Sequence, residues 1–404
     1  MPCGFCAKNK YGIILMTIAK RMDDIPFSGI RKIFEKVGAM EAAGHEVIHL
    51  EIGRPDFGTP GHIVQAAKQA LDQGKVHYTS NYGISELRKA VADKLRDENQ
   101  LEYDPESEII VTAGANEAVF AAMLALVEPG DEVLIPCPCW PTYFSCVHMA
   151  GGTPVPVPVN LSNGLQLDLN NLKKKMGPRT KMLILNSPNN PSGAVYPKEI
   201  IEQVAALVQE HGVFLLSDEI YEKIIYDGAS HISPASLPGI KQQTLTINGF
   251  SKAYAMTGWR LAYVAADKEL ISALIRIHQN TVSCATSFAQ WGGLEALVGS
   301  QKELDAMVME FERRRDLVYQ RLRVIPGLSL AKPQGAFYAF VDISTLDISS
   351  YELADLLLNK AKVAVVPGEV FEAPKQSWLR ISYAASYANL TRAMDGIEKV
   401  ITDL

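Results

Sequence analysis

Gly249-Phe250-Ser251-Lys252-Ala253-Tyr254-Ala255-Met256-Thr257-Gly258-Trp259-Arg260 is the stretch that decides how the rest of the chain is read. It sets one lysine among apolar neighbours, directly behind a serine and ahead of an arginine. A solvated surface lysine has no need of such company. An amine held beside a bound phosphate does. Removed from water, a lysine gives up its proton more readily and becomes a nucleophile toward carbonyl groups.

The stretch follows Thr244-Leu245-Thr246-Ile247, the fifth of a series of short apolar runs. The others are Ile109-Ile110-Val111-Thr112, Glu132-Val133-Leu134-Ile135, Met182-Leu183-Ile184-Leu185 and Val213-Phe214-Leu215-Leu216. Helix-like segments lie among them, including Glu117 to Leu124 and Lys198 to Gln209. Continuous apolar strands alternating with helices predict an α/β fold with a mostly parallel central sheet and helices on both faces. Each run is followed by polar residues: Ala113 to Asn116, Pro136 to Trp140, Asn186 to Pro191, Ser217-Asp218 and Asn248 to Lys252. Ligands of open α/β sheets bind outside the carboxyl ends of the strands, so these segments are expected to form one site. Arg260 opens Leu261-Ala262-Tyr263-Val264, and an antiparallel strand there would start on the same edge.

The texture changes near residue 300. A charged helical stretch, Glu303 to Leu322, leads to strand-like residues near Gly335 to Val341. A helix over Ser350 to Ala361 and a strand over Val363 to Val366 are expected next. The expected organisation is an N-terminal extension at residues 1–20, disordered and with Met16 as a candidate start. A segment at 21–60 would join the smaller domain, 61–300 would form the large domain, and 301–404 a small α+β domain. A length of 404 residues suits two domains.

Hydrophobic residues at 48%, charged residues at 21% and a formal net charge of -6 describe an ordinary globular chain without a basic nucleic-acid surface. No apolar run reaches the roughly eighteen residues that span a bilayer. Six cysteines in a chain this long are no disulfide scaffold, which favours a cytoplasmic, reducing setting. Cys3 and Cys6 have half of a metal or redox spacing, and no metal site is expected from them.

Ser187-Pro188-Asn189-Asn190-Pro191-Ser192-Gly193, Ser217-Asp218-Glu219-Ile220-Tyr221 and Gly249-Phe250-Ser251-Lys252 together resemble, in order and spacing, the fold type I pyridoxal-phosphate enzymes. The similarity runs from about Pro26 to the C-terminus and is greatest to the class I/II aminotransferases of the aspartate aminotransferase group. The resemblance implies pyridoxal 5'-phosphate as cofactor and an amino acid: 2-oxo acid aminotransferase working by ping-pong transfer. Lys252 would carry the cofactor as a Schiff base and move the substrate Cα proton. Asp218 would keep the pyridine nitrogen protonated, while Tyr221 and Asn190 would donate to the phenolic oxygen. Trp140 would stack on the ring. The phosphate would be held by Ala115 and Asn116 at a helix start, by Ser251 and by Arg260. Tyr78 would reach it from a neighbouring subunit of a homodimer. Arg380, in Trp378-Leu379-Arg380-Ile381-Ser382, would grip the substrate carboxylate, with Gly53 and Asn190 beside it.

Two departures bear on substrate choice. Asn116 stands where the aspartate-specific bacterial branch often has a lysine, and Cys137-Pro138-Cys139-Trp140 is unlike the commoner proline-tyrosine-tryptophan wording. Both argue against strict aspartate specificity and are compatible with a neutral or aromatic donor. The alternative on the same scaffold is a C–S lyase or a specialised biosynthetic enzyme, because one carbanion serves all of these reactions.

Overall fold

The structure, a computed structural model, describes residues 18–159, 163–372 and 377–404. Cys3, Cys6, Met16 and most of the expected N-terminal extension lie outside them. The strands in chain order are β1 (Ile48–His49), β2 (Ile109–Thr112), β3 (Glu132–Cys137), β4 (Thr153–Pro158), β5 (Thr180–Asn186), β6 (Phe214–Asp218) and β7 (Thr244–Gly249). They continue with β8 (Ala262–Ala265), β9 (Ser329–Leu330), β10 (Tyr338–Asp342), β11 (Val363–Ala364), β12 (Val366–Pro367) and β13 (Trp378–Ser382).

Seven strands form the main sheet in the order β2-β8-β7-β6-β5-β3-β4. All its neighbours are parallel except β8, which runs against both β2 and β7. The expected fold class is therefore the observed one. Side-chain alternation explains why the runs are apolar at every position. Met182 and Ile184 enter one buried cluster with Leu216 and Ile247, while Leu183 and Leu185 enter another with Leu134 and Leu215. Each buried aliphatic side chain of this kind contributes roughly 2 kcal/mol.

β4 has no counterpart among the runs singled out in the sequence. Its residues are Thr-Pro-Val-Pro-Val-Pro, and prolines that cannot donate a ladder hydrogen bond obscure a strand signal. It is tolerated because β4 is an edge strand, paired with β3 alone.

A four-stranded antiparallel sheet, β12-β13-β10-β9, packs against the helix Lys302–Leu322, on which the helix Tyr387–Thr402 packs in turn. Two expectations need correction here. Of the Gly335 to Val341 run only Tyr338 to Val341 is strand, which extends on to Asp342, because Ala336 takes φ 55° in a turn. The helix expected over Ser350 to Ala361 is helical throughout, α to Leu356 and widening to a π-turn over Leu357–Ala361. The run at 363–366 is two strands that part at Val365: β11 pairs with β1, and β12 pairs with β13. The N-terminal segment thus meets the C-terminal part through the parallel β1–β11 pair. The helix Gly29–Ala42, capped by Ser28, precedes β1.

Candidate active site

The carboxyl ends of β5, β6 and β7 open onto one pocket of about 220 Å³. β8 begins on the same edge because it is antiparallel, which brings Arg260 there. Gly53, Ala115, Asn116, Trp140, Asn190, Asp218, Tyr221, Ser251, Lys252, Arg260 and Arg380 all line this pocket, so it unites residues far apart in sequence. Tyr78 does not line it and is 89% exposed.

Lys252 is half-buried, and its Nζ donates to the Gly53 carbonyl at 2.6 Å. Burial first, then the positive charges of Arg380 and Arg260, lower its pKa to about 8. The amine is thereby primed to act as base or nucleophile near neutral pH.

Asp218 ends β6 and is buried. A turn, not a helix, follows it. Its Oδ2 accepts from Tyr143 Oη at 2.6 Å and its Oδ1 from the Ile220 amide at 3.2 Å. Burial raises its pKa despite these two bonds. A carboxylate so placed gains from a cationic N–H partner.

Asn186 ties the neighbouring loop to β6. Its Nδ2 donates to the Asp218 carbonyl at 3.0 Å, and its Oδ1 accepts from the Asn190 amide at 2.9 Å. Asn190 Oδ1 in turn accepts from Arg380 Nη1 at 3.2 Å.

Arg380 sits at the middle of β13, between Phe340 of β10 and Val366 of β12. Its side chain is 1% exposed. The guanidinium lies 4.5 Å from the Tyr338 ring centre and 4.6 Å from that of Phe371, and Nη2 donates to the Glu51 carbonyl at 2.6 Å. Burial lowers its pKa, yet an arginine stays charged. No carboxylate pairs with it among the described residues. A buried, flat, bidentate donor of this kind suits an incoming carboxylate.

At the other end of the pocket the helix Ala115–Leu126 points its first turn inward. Gly114, at φ 89°, lets Arg260 lie against that turn; a Cβ there would stand 2.5 Å from Arg260 Nη2. Free first-turn amides, the Ser251 hydroxyl and this guanidinium make an anion site.

The sequence reading overlooked several lining residues. Tyr338 Oη lies 2.9 Å from Tyr221 Oη and would stand 2.5 Å from a Cβ on Gly53, which explains the glycine. Nothing local in the apolar run 336–341 marks it. Ile30, from the helix Gly29–Ala42, also carries no local signal. Tyr143 and Asn186 were within reach, since one follows Trp140 by a helical turn's spacing and the other ends β5. Behind the site, Glu219, Glu222 and His231 cluster, but their partners are already present. Lys94 and Asn99 bond Glu222, while Ser217, His231 and Ser233 bond Glu219.

The donor set fits pyridoxal phosphate: a low-pKa amine, an anion site and a buried carboxylate, all opening on one pocket with an aromatic, Trp140, beside them.

The family model for aminotransferase class I and II matches residues 45–397. The chain is 44% identical to an aspartate aminotransferase of Pyrococcus abyssi, covering 96% of this chain and 99% of that one. It is 42% identical to aromatic-amino-acid aminotransferase 2 of Thermococcus litoralis, with coverage of 96% and 99%. Among solved structures, the aspartate aminotransferase from Thermus thermophilus with maleate superposes with a TM-score of 0.91 at 40% identity, covering 96% of this chain and 100% of that one.

Proposed function

This chain belongs to the aminotransferase class I and II family and is a pyridoxal-phosphate-dependent aminotransferase; from that premise we propose that it prefers a neutral or aromatic amino donor to aspartate. One observation carries the preference. Among the described lining residues the cations are Lys252, Arg260 and Arg380, and each has a task that leaves none for a second substrate carboxylate. Asn116 is neutral, and Ile30 and Trp140 add apolar surface. The named relatives include both an aspartate and an aromatic enzyme, so kinship alone does not choose.

In this reading Lys252 is the covalent attachment point and then the base that carries the substrate Cα proton. Bound pyridoxal phosphate supplies the electron sink for the charge left on Cα. Asp218, oriented by Tyr143, holds the proton at the ring nitrogen. Tyr221 and Asn190 would donate to the ring oxygen, and Trp140 would support the ring face. Ala115, Asn116, Ser251 and Arg260 hold the phosphate, whose two negative charges match the helix start and the guanidinium. Arg380 takes the substrate α-carboxylate, and Gly53 leaves room for it.

The working unit is proposed to be a homodimer in which the partner subunit's Tyr78 completes the phosphate site. Support comes from its exposure and from its absence from the lining of its own pocket. The larger seven-stranded unit and the smaller C-terminal sheet are read as two domains, and the reducing cytoplasm as the setting. The described cysteines Cys137, Cys139, Cys146 and Cys284 are free thiols, which supports that reading.

A donor panel against pyruvate and 2-oxoglutarate tests the preference. Phenylalanine, tyrosine and a neutral aliphatic donor are expected to give a higher kcat/KM than aspartate. A higher value for aspartate would overturn it.

A further inference from the structure

One short segment touches both lysine and arginine of the pocket. The Gly53 carbonyl accepts from Lys252 and the Glu51 carbonyl from Arg380. The Glu51 side chain is itself fully buried, where an unpaired carboxylate is costly. Its Oε1 lies 2.8 Å from His49 Nδ1, but Oε2 has no hydrogen-bond partner among the described residues. Arg380 Nε is likewise buried without a partner. An unfilled acceptor and an unfilled donor of opposite charge therefore flank a single backbone hydrogen bond.

His49, not Arg380, bonds the Glu51 carboxylate. Its other nitrogen, Nε2, lies 2.9 Å from Glu41 Oε1, in the last turn of the helix Gly29–Ala42. That helix presents Ile30 to the pocket from its first turn. The chain Glu41–His49–Glu51 thus runs from the helix to the residue that holds Arg380.

We propose that His49 is a clamp that holds the Glu51 carboxylate off Arg380, so that Glu51 and His49 are positioning residues that set the affinity for the substrate carboxylate. The inference rests on the assignment of Arg380 to that carboxylate. The charged groups facing His49 are Glu51 and Glu41, and those facing Glu51 are His49 and Arg380. Burial works against a charged His49, but hydrogen bonds to Glu51 and Glu41 outweigh it and its pKa is raised. Burial also raises the pKa of Glu51, with the His49 bond opposing. The imidazolium donates to both carboxylates, whereas a neutral imidazole donates to one only. The clamp weakens as pH climbs through the His49 pKa.

The test is a double-mutant cycle on the holoenzyme with His49→Ala, Glu51→Gln and both together. His49→Ala frees the carboxylate to compete for Arg380, and KM for the amino acid is expected to rise about tenfold, the size of a close charge coupling. kcat is expected to fall by less than KM rises. Adding Glu51→Gln removes the competitor and should bring KM back toward the wild-type value. The dissociation constant of an inert short-chain monocarboxylate, measured by calorimetry, should follow the same pattern. An amine lacking the α-carboxylate should show no KM change. A double variant as weak as, or weaker than, His49→Ala would overturn the clamp, as would equal losses for the carboxylate-free amine. If Arg380→Leu leaves the monocarboxylate affinity unchanged, the carboxylate assignment falls and the clamp with it. If that variant weakens binding but the cycle is additive, only the clamp falls.

Discussion

The carboxyl edge of the seven-stranded sheet and the wall opposite it build the same pocket in different ways. On the sheet edge, Asn186, Asn190, Asp218, Tyr221, Ser251 and Lys252 stand at or just past the ends of three adjacent parallel strands. Their positions follow from strand register, so chemistry is written in short contiguous motifs. The opposite wall takes Gly53 and Ile30 from the N-terminal segment and Tyr338 and Arg380 from the four-stranded sheet. No motif joins these residues, and they meet only because β1 pairs with β11 and β13 lies between β10 and β12. In the function proposed above, the sheet edge serves chemistry at the reacting atoms and the wall serves recognition of what is brought to them.

That division can be broken by substitution. Asp218→Asn, on the edge, is expected to lower kcat about a hundredfold to a thousandfold, the scale for losing a buried electrostatic partner of a developing charge. An effect confined to KM would move Asp218 to the recognition side. Arg380→Leu, on the wall, is expected to raise the amino acid KM on the order of a hundredfold, since truncating a buried charge contact costs roughly 2–5 kcal/mol. An unchanged KM would mean that another group holds the carboxylate.

Between the two lies an effect that links the regions. Covalent loading of the apoprotein with pyridoxal phosphate needs the neutral amine of Lys252, whose pKa is lowered to about 8. Below that value the initial rate, followed by visible absorbance, should fall about tenfold per pH unit. In Arg380→Leu the profile should move to higher pH, because a positive charge that disfavours the ammonium form has gone. A profile that does not move would uncouple wall from edge. The smallest effect is expected from Tyr338→Phe. It removes the hydroxyl 2.9 Å from that of Tyr221, worth roughly 0.5–1.5 kcal/mol, so a loss of a few-fold in kcat/KM is expected.

The same division explains how much was legible in the sequence. The parallel sheet was readable because its strands are buried on both faces and so are apolar throughout. Lys252, Asp218 and Asn190 were readable because they follow such runs. Tyr338 and Ile30 were not, because each sits among apolar residues that look like core and is functional only through long-range packing. Arg380 stood out on the wall for the opposite reason: a charge inside an apolar strand demands a partner. β4 was hidden by its prolines, and the break at Val365 by a run of valines and an alanine that gives no hint of two partner strands.

Borohydride reduction of the protein loaded with pyridoxal phosphate, followed by peptide mass mapping, tests the assignment of the reactive amine most directly. One stable adduct is expected, on the peptide that carries Lys252, and the Lys252→Ala protein should take up none. An adduct on a different lysine, or no adduct in a protein that is folded and given the coenzyme, would contradict it.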